Sequence, residues 1–382
     1  MFSIHQHWDP LKVCAVGSSY PPQFYDYIKN PKVRKVFYRI AEETEEDYQT
    51  LIAKLESFNV KVLRTEIDQD FNNYFNGHSF LSPPMTPRDY TIMIGDTWYT
   101  VENSWYKNKW EIIKGADWPD FPKNELEFNA LPDFVKEECR NYYNINSYNN
   151  LTMNNGLSKI NQFIQDQGNK IVNGQFVSAS TCIRVGKDLY FGTDEHDKVK
   201  NFEFLKNKYS QLFPDYRCHI VDSEGHEDGV FCPVVPGLIV SIRDMPTYNE
   251  SFPDWEVVYL DDMETWKKMQ QFLNLKEKNR GKWWVAGEEL NNDFTEYVET
   301  WMQHWVGYVE ETVFDVNMLV IDKNNVICNN YNEKVFEAFS RYNITPHVIN
   351  FRHRYFWDGG LHCITSDLHR EGTLQDYFPE RA

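Results

Sequence analysis

Apolar runs broken by tight polar turns recur along the chain, and each reads as a β-hairpin. Tyr90–Ile94 turns at Gly95-Asp96 into Thr97–Val101, and Cys182–Val185 turns at Gly186-Lys187-Asp188 into Leu189–Phe191. Val230–Val235 turns at Pro236-Gly237 into Leu238–Ser241, and Asn317–Ile321 turns at Asp322–Asn325 into Val326–Cys328. Gly, Asp and Asn supply the positive φ that tight hairpin turns require. Between the hairpins the apolar period changes to that of a helix. Leu51, Ile52 and Leu55 fall on one face of 47–55, and Val335, Phe336 and Phe339 on one face of 331–339. Helices are also expected over 198–213 and 265–275. The chain therefore reads as a degenerate repeat of hairpin and helix, an α plus β architecture. Two stretches fit the repeat poorly. Residues 103–160, rich in Asn, Trp and Tyr, read as an insertion. Residues 280–310, with Trp283, Trp284, Trp301 and Trp305, read as a second insertion, either a flap or aromatic core.

The polar residues that precede the strands stand at matching places in this repeat. Asp89 precedes the first hairpin, Ser178 the second and Asp228 the third, while Asp315 leads into the fourth. Strand starts from several units would converge on one centre. Near the C-terminus, Trp357-Asp358-Gly359-Gly360-Leu361-His362-Cys363-Ile364-Thr365-Ser366-Asp367 places one cysteine shortly after two glycines. Glycines let a backbone approach a ligand closely. Gly225-His226-Glu227-Asp228-Gly229 supplies an imidazole and a carboxylate two residues apart. A thiol, an imidazole and separate carboxylates are the parts of a covalent cysteine enzyme. His362 reads as structural, because neighbours on a strand point to opposite faces. A zinc site from His226, Cys232 and Cys363 fits no usual ligand spacing. Gly186-Lys187-Asp188 lacks the length of a phosphate loop.

Composition narrows the partners. With 39 basic and 57 acidic residues among 382, the net charge is −18. Such a surface disfavours nucleic acid and anionic membranes and can steer a cationic small molecule inward. The seven cysteines, at 14, 139, 182, 218, 232, 328 and 363, include no C-x-x-C pair, which predicts reduced thiols and a cytoplasmic setting. The first residues show no secretory signal, and no apolar run approaches the roughly 20 residues of a membrane helix.

Five stretches carry a resemblance. They are Trp8–Gly17, Pro87-Arg88-Asp89, Phe176–Asp188, His226-Glu227-Asp228 with Pro236-Gly237, and Gly359-Gly360-Leu361-His362-Cys363 with Thr365 and Asp367. In order and spacing they resemble the guanidine-modifying (pentein) superfamily, and within it the glycine amidinotransferase family. The resemblance implies one α/β propeller domain over 1–382, built of five pseudo-symmetric ββαβ-like units. It also implies transfer of an amidino group from arginine or a related guanidine to an amine, without a cofactor or metal, in a homodimer. Cys363 would be the nucleophile and His226 the general acid and base. Asp89 and Asp228 would hold the guanidinium by charge-assisted hydrogen bonds. Hydrolysis of the same covalent intermediate and non-catalytic guanidine binding remain open alternatives.

Four departures from the family pattern surround the expected substrate. Ser178 stands where the family carries a histidine-orienting aspartate, so that either histidine activation is weaker here or another acid, Glu224 or Glu227, takes over. Gly225 replaces a larger residue. Met245 aligns with the family's carboxylate-binding arginine, with Arg243 two residues earlier. Glu310 and Glu311 stand where the arginine:glycine enzymes have serines, which favours an amine-bearing substrate over one that presents a carboxylate.

Overall fold

A computed structural model describes residues 1–71, 82–100, 156–173, 179–192, 202–223, 226–242, 248–260, 274, 283–302, 305–306 and 315–381. All four expected hairpins form. They are β3–β4 (Thr91–Ile94, Thr97–Thr100), β6–β7 (Cys182–Val185, Asp188–Gly192), β9–β10 (Phe231–Val235, Leu238–Ser241) and β12–β13 (Leu319–Asp322, Asn325–Cys328). Gly186 and Gly237 take φ of 62° and 93° in two of the turns. A residue with a Cβ would be strained there.

Each hairpin acquires a third strand, parallel to its second: β5 (Lys170–Asn173), β8 (Arg217–Val221), β11 (Glu256–Tyr259) and β14 (Thr345–Val348). A parallel return needs a crossover, and helices supply it. These are α2 (Ser158–Asp166), α3 (Phe202–Leu212), α4 (Tyr248–Ser251) and α6 (Glu333–Arg341). The fifth three-stranded sheet joins the two ends of the chain. β15 (Thr365–Arg370) pairs antiparallel with β1 (Leu11–Val16), Leu11 opposite Arg370, and β1 pairs parallel with β2 (Lys61–Arg64) after α1 (Pro31–Ser57). The repeat is thus ββαβ five times among the described residues, with the last unit split between the termini.

α1 shows why the helices form. Asn30 accepts the Lys32 N–H at 3.0 Å and Pro31 occupies the first turn, a good start for a helix. Val33, Phe37, Ile40, Leu51 and Leu55 are buried along one face, each contributing about 1.5–3 kcal/mol. The expected 47–55 helix is the last third of this 27-residue element. The 265–275 helix and the 103–155 part of the expected insertion lie outside the described residues. In the 280–310 stretch, α5 (Asn292–Trp301) and Trp283 pack into the core, with Trp283 at 5.4 Å from Phe294 and 5.9 Å from Phe356, ring centre to ring centre. Trp305 is also buried, whereas Trp301 is half exposed, so Trp283 and Trp305 belong to the aromatic core.

The sheets meet on a buried ionic hub. Asp367 on β15 accepts from Arg88 Nη2 (2.6 Å), Arg184 Nη2 (3.1 Å) and Arg370 Nε (2.8 Å), with all four side chains at most 1 % exposed. Arg184 also donates to the Met93 carbonyl, and Arg370 to the Asp9 and Val320 carbonyls. Burial raises the Asp367 carboxyl, but Arg370, Arg88 and Arg184 together hold it well below the usual carboxylate range. One carboxylate thereby links four of the five units and fixes Arg88 and β15, the elements beside Cys363.

No helix of the described residues is long and apolar enough to cross a membrane.

Candidate functional site

The cysteine does not lie on a strand. A short helix α7 (Arg354–Trp357) ends at Asp358, whose backbone is left-handed (φ 53°, ψ 48°), and the chain turns through Gly359–Cys363 before β15 begins. Buried main-chain groups in such a turn need partners, and two asparagines that flank the β12–β13 hairpin supply them. Asn329 Oδ1 accepts the Leu361 N–H at 3.1 Å. Asn317 Oδ1 accepts the N–H groups of His362 (2.9 Å) and Cys363 (3.2 Å). Arg88 Nε donates to the carbonyls of His362 and Thr365, each at 2.8 Å. Backbone N–H groups can only donate, so the Asn317 oxygen must face them. Its amide nitrogen then faces Cys363 Sγ at 2.9 Å and the Asp228 carbonyl at 3.1 Å.

Asp228 sits in a single 3-10 turn, Glu227–Gly229, directly before β9, and is 4 % exposed. Its Oδ2 accepts from His362 Nδ1 at 2.9 Å and lies 3.5 Å from Cys363 Sγ. Its Oδ1 is buried without a hydrogen-bond partner. Burial raises this carboxyl, but the hydrogen bond and charge of His362, then His226 and Arg88, bring it below its ordinary value. His362 itself is pushed down by burial and by Arg88, only partly offset by Asp228. Asp228 is therefore the ionised acceptor of the His362 Nδ1–H. The expectation that His362 and Cys363 face opposite sides fails because both occupy a turn, and both reach Asp228.

Asp89 arrives from the turn Pro87–Tyr90 ahead of β3. His226 Nδ1 stands 3.8 Å from its Oδ1, the two side chains being 48 % and 28 % exposed. Burial raises the Asp89 carboxyl; His226 opposes this, Asp228 adds to it, and hydrogen bonds with Thr86 and Ser180 again oppose it. The Cys363 thiol is pushed well above its ordinary value by burial, then by Asp228 and Asp89, against smaller opposing effects from the Gly360 backbone and Asn317. Two carboxylates thus act on one thiol and favour its protonated form.

Beside this group lies a cleft of about 170 Å³, with Thr86, Asp89, Trp305, Val306, Trp357 and Asp358 in its wall. The Trp305 and Trp357 rings stack at 6.0 Å. Gly359 joins cleft and thiol, since a Cβ there would lie 3.5 Å from Cys363 Cβ and 3.6 Å from Thr86 Cγ2.

Of the expected site residues, the structure brings Cys363, Asp228, Asp89 and His226 together. Ser178, Arg243 and Glu311 lie outside the described residues, as do Glu224, Gly225, Met245 and Glu310. Glu227 is described and fully buried, with Oε1 accepting from Ser223 Oγ at 3.2 Å. Sequence reasoning passed over Asn317, Asn329 and Arg88. The one signal is for Asn317, which stands two residues before its hairpin as Asp89 does before its own; Asn329 follows the second strand of the same hairpin.

A scan against protein-family models finds no match. Over 98% of its length the chain is 22% identical to the mitochondrial glycine amidinotransferase of Xenopus tropicalis, covering 84% of that protein. It is 20% identical to the L-arginine:L-lysine amidinotransferase of Pseudomonas savastanoi pv. phaseolicola, over 76% of this chain and 68% of the other. Among solved structures, an amidinotransferase of saxitoxin biosynthesis from Microseira wollei superposes with a TM-score of 0.59 at 17% identity, with 99% of both chains covered. The inosamine-phosphate amidinotransferase of Streptomyces griseus gives 0.58 at 15% identity, again over 99% of both. With five ββαβ units among its described residues, the chain has the pentein fold and is similar in sequence, at 22% identity, to the glycine amidinotransferases.

Proposed function

We propose that this protein is an amidinotransferase in which Cys363 carries the amidino group. The observation that supports this most is the pairing of Asp89 and Asp228 against one thiol, with Asp228 Oδ1 buried and unpartnered. A planar guanidinium offers N–H groups to both carboxylates and cancels the charge that holds the thiol protonated. The Cys363 proton then leaves to a base, for which His226 beside Asp89 is the candidate. Sulfur attacks the guanidinium carbon, the C–S bond forms, and the C–N bond to the departing amine breaks. The nitrogen keeps the electron pair and takes the proton from His226. An incoming amine reverses these steps, forming a new C–N bond while sulfur leaves with its electron pair. Oriented reactants account for much of such a rate, and the two asparagines and Arg88 supply that order on the thiol side.

Hydrolysis is the second reading: if the C–N bond to an unsubstituted nitrogen breaks and ammonia leaves with the electron pair, Cys363 retains the substituted amidino group, and water then resolves it to a ureido product. The relatives named as amidinotransferases favour transfer. Six cysteines among the described residues are free thiols, which suits the reducing cytoplasm proposed as its location. The two readings separate by products. A guanidine donor and a primary amine should yield a new guanidine on the amine, with the donor's own amine released. A ureido product with ammonia, independent of added amine, would replace transfer by hydrolysis.

A further inference from the structure

Two imidazoles flank the thiol, and each stands against one carboxylate. His226 Nδ1 lies 3.8 Å from Asp89 Oδ1, and both side chains are partly exposed. His362 Nδ1 lies 2.9 Å from Asp228 Oδ2, and both side chains are buried. An exposed imidazole suits proton exchange with solvent, and a buried one at full hydrogen-bond distance suits fixing its partner. His362 is itself held on several sides. Its backbone N–H donates to Asn317 Oδ1 at 2.9 Å, and its carbonyl accepts from Arg88 Nε at 2.8 Å. Its ring lies beside that of His7, 6.1 Å from centre to centre, and His7 Nε2 accepts the Arg184 N–H at 3.2 Å.

An aspartate turns readily about its last side-chain bond, because that torsion is broad and roughly two-fold. Here such a turn decides which oxygen meets a ligand. Oδ2 accepts from His362 and lies 3.4 Å from Asn317 Nδ2 and 3.5 Å from Cys363 Sγ. Oδ1 is buried without a hydrogen-bond partner. We infer that His362 is a positioning residue: its Nδ1–H fixes the Asp228 carboxylate, in one orientation and ionised, to receive the N–H groups of a guanidinium. The inference rests on the proposed function for what Asp228 receives. The titratable groups that face Asp228 are His362 and Cys363 from the turn before β15, Arg88 and Asp89 from the turn before β3, His226 from its own turn and Cys232 on β9. Burial raises the Asp228 carboxyl, and His362 is the largest of the influences that lower it. Without His362 the carboxyl moves up, so guanidinium binding, which needs the carboxylate, is lost at a higher pH on the acid side.

Binding of arginine and of agmatine to the Cys363→Ala protein is measured by calorimetry across the acid and neutral range, with position 362 native, Leu or Asn. Leu is similar in volume but has no donor, whereas the Asn amide nitrogen can take the place of Nδ1. His362→Leu should weaken both compounds about tenfold or more at pH 7 and move the acid limb of binding up by about one pH unit or more. His362→Asn should restore most of both. A purely structural histidine would change the melting curve and leave the acid limb where it was. An unchanged acid limb in a folded His362→Leu protein, or a His362→Asn protein as defective as the Leu one, would overturn the inference. If His362→Leu does not fold, His362→Asn decides: near-native affinity and acid limb uphold it, and their loss in a folded protein overturns it. Infrared spectra of the same proteins without ligand, referenced to Asp228→Asn, read the protonation of Asp228 directly; no upward shift in His362→Leu also overturns the inference. If that shift appears while neither compound binds the Cys363→Ala protein, the hold of His362 on Asp228 stands and the proposed function falls instead.

Discussion

Replacing Asn317 by Asp tests the hold of its amide nitrogen on the thiol. In the native protein the Asn317 oxygen holds the N–H groups of His362 and Cys363, and its amide nitrogen lies 2.9 Å from Cys363 Sγ. An aspartate keeps an oxygen for both backbone groups but turns a second oxygen toward the sulfur. The thiolate loses a charge-assisted hydrogen bond worth about 1.5–3 kcal/mol. At about 1.4 kcal/mol per factor of ten, its population at pH 7 falls about 10- to 100-fold. Repulsion by the new carboxylate adds to this. Alkylation of Cys363 by iodoacetamide, followed on the Cys363 peptide by mass spectrometry from pH 6 to 10, reads that population without any guanidine substrate. The melting temperature should also fall, because the new oxygen replaces a nitrogen that lies 3.1 Å from the Asp228 carbonyl and 3.4 Å from its Oδ2 at a fully buried position. Asn317→Ala provides the contrast, since it leaves two buried N–H groups unpaired at about 1–3 kcal/mol each and should destabilise the fold measurably. If the Asp variant folds normally and its alkylation profile superimposes on that of the wild type, the asparagine has no influence on the sulfur.

Three further outcomes follow from the same geometry. Asp89→Asn should make Cys363 react several-fold faster with iodoacetamide at pH 7, because it removes a like charge acting on the thiolate, while weakening guanidine binding; slower alkylation would refute the electrostatic account. Asp367→Asn strips the hub of its only anion and should cost about 3–5 kcal/mol in urea unfolding. Since the Asp367 carboxyl is held well below its unfolded value, its stabilisation is present above about pH 4 and fades as pH falls through the folded value; the variant should therefore lose the corresponding acid limb of the stability curve. Gly192→Ala would set a Cβ 1.3 Å from Glu227 Oε1, which is fully buried, and should destabilise by about 1–3 kcal/mol or more and lower turnover through the adjacent Asp228 turn; a wild-type melting curve would refute that packing.

Hairpins were legible in the sequence because each is closed by two residues in contact range, and the alternation of apolar runs with Gly, Asp or Asn is a local signal. The fifth unit was not. β1 and β15 have no turn between them, and their pairing joins Leu11 to Arg370. No periodicity within either strand specifies a partner at the other end of the chain. The chemical residues divide in the same way. Cys363, Asp228, Asp89 and His226 stood out because a thiol, carboxylates and an imidazole are distinctive in type and sit beside strand starts. Asn317 and Arg88 act through geometry that only the folded chain shows. Asparagine before a strand is common, and nothing local to Arg88 points to its partner Asp367, 279 residues away. The direction of His362 was misread for a related reason: the strand was expected to begin before Cys363, whereas it begins at Thr365.

The central claim is that Cys363 becomes covalently loaded by a guanidine. Mixing the protein with excess agmatine or arginine, quenching in acid and mapping the cysteine peptides tests it most directly. The account predicts that the Cys363 peptide gains the mass of one amidino group, that this adduct disappears on adding an amine, and that Cys363→Ala shows none. No adduct on Cys363 while guanidine turnover proceeds, or an adduct confined to another cysteine, would contradict it.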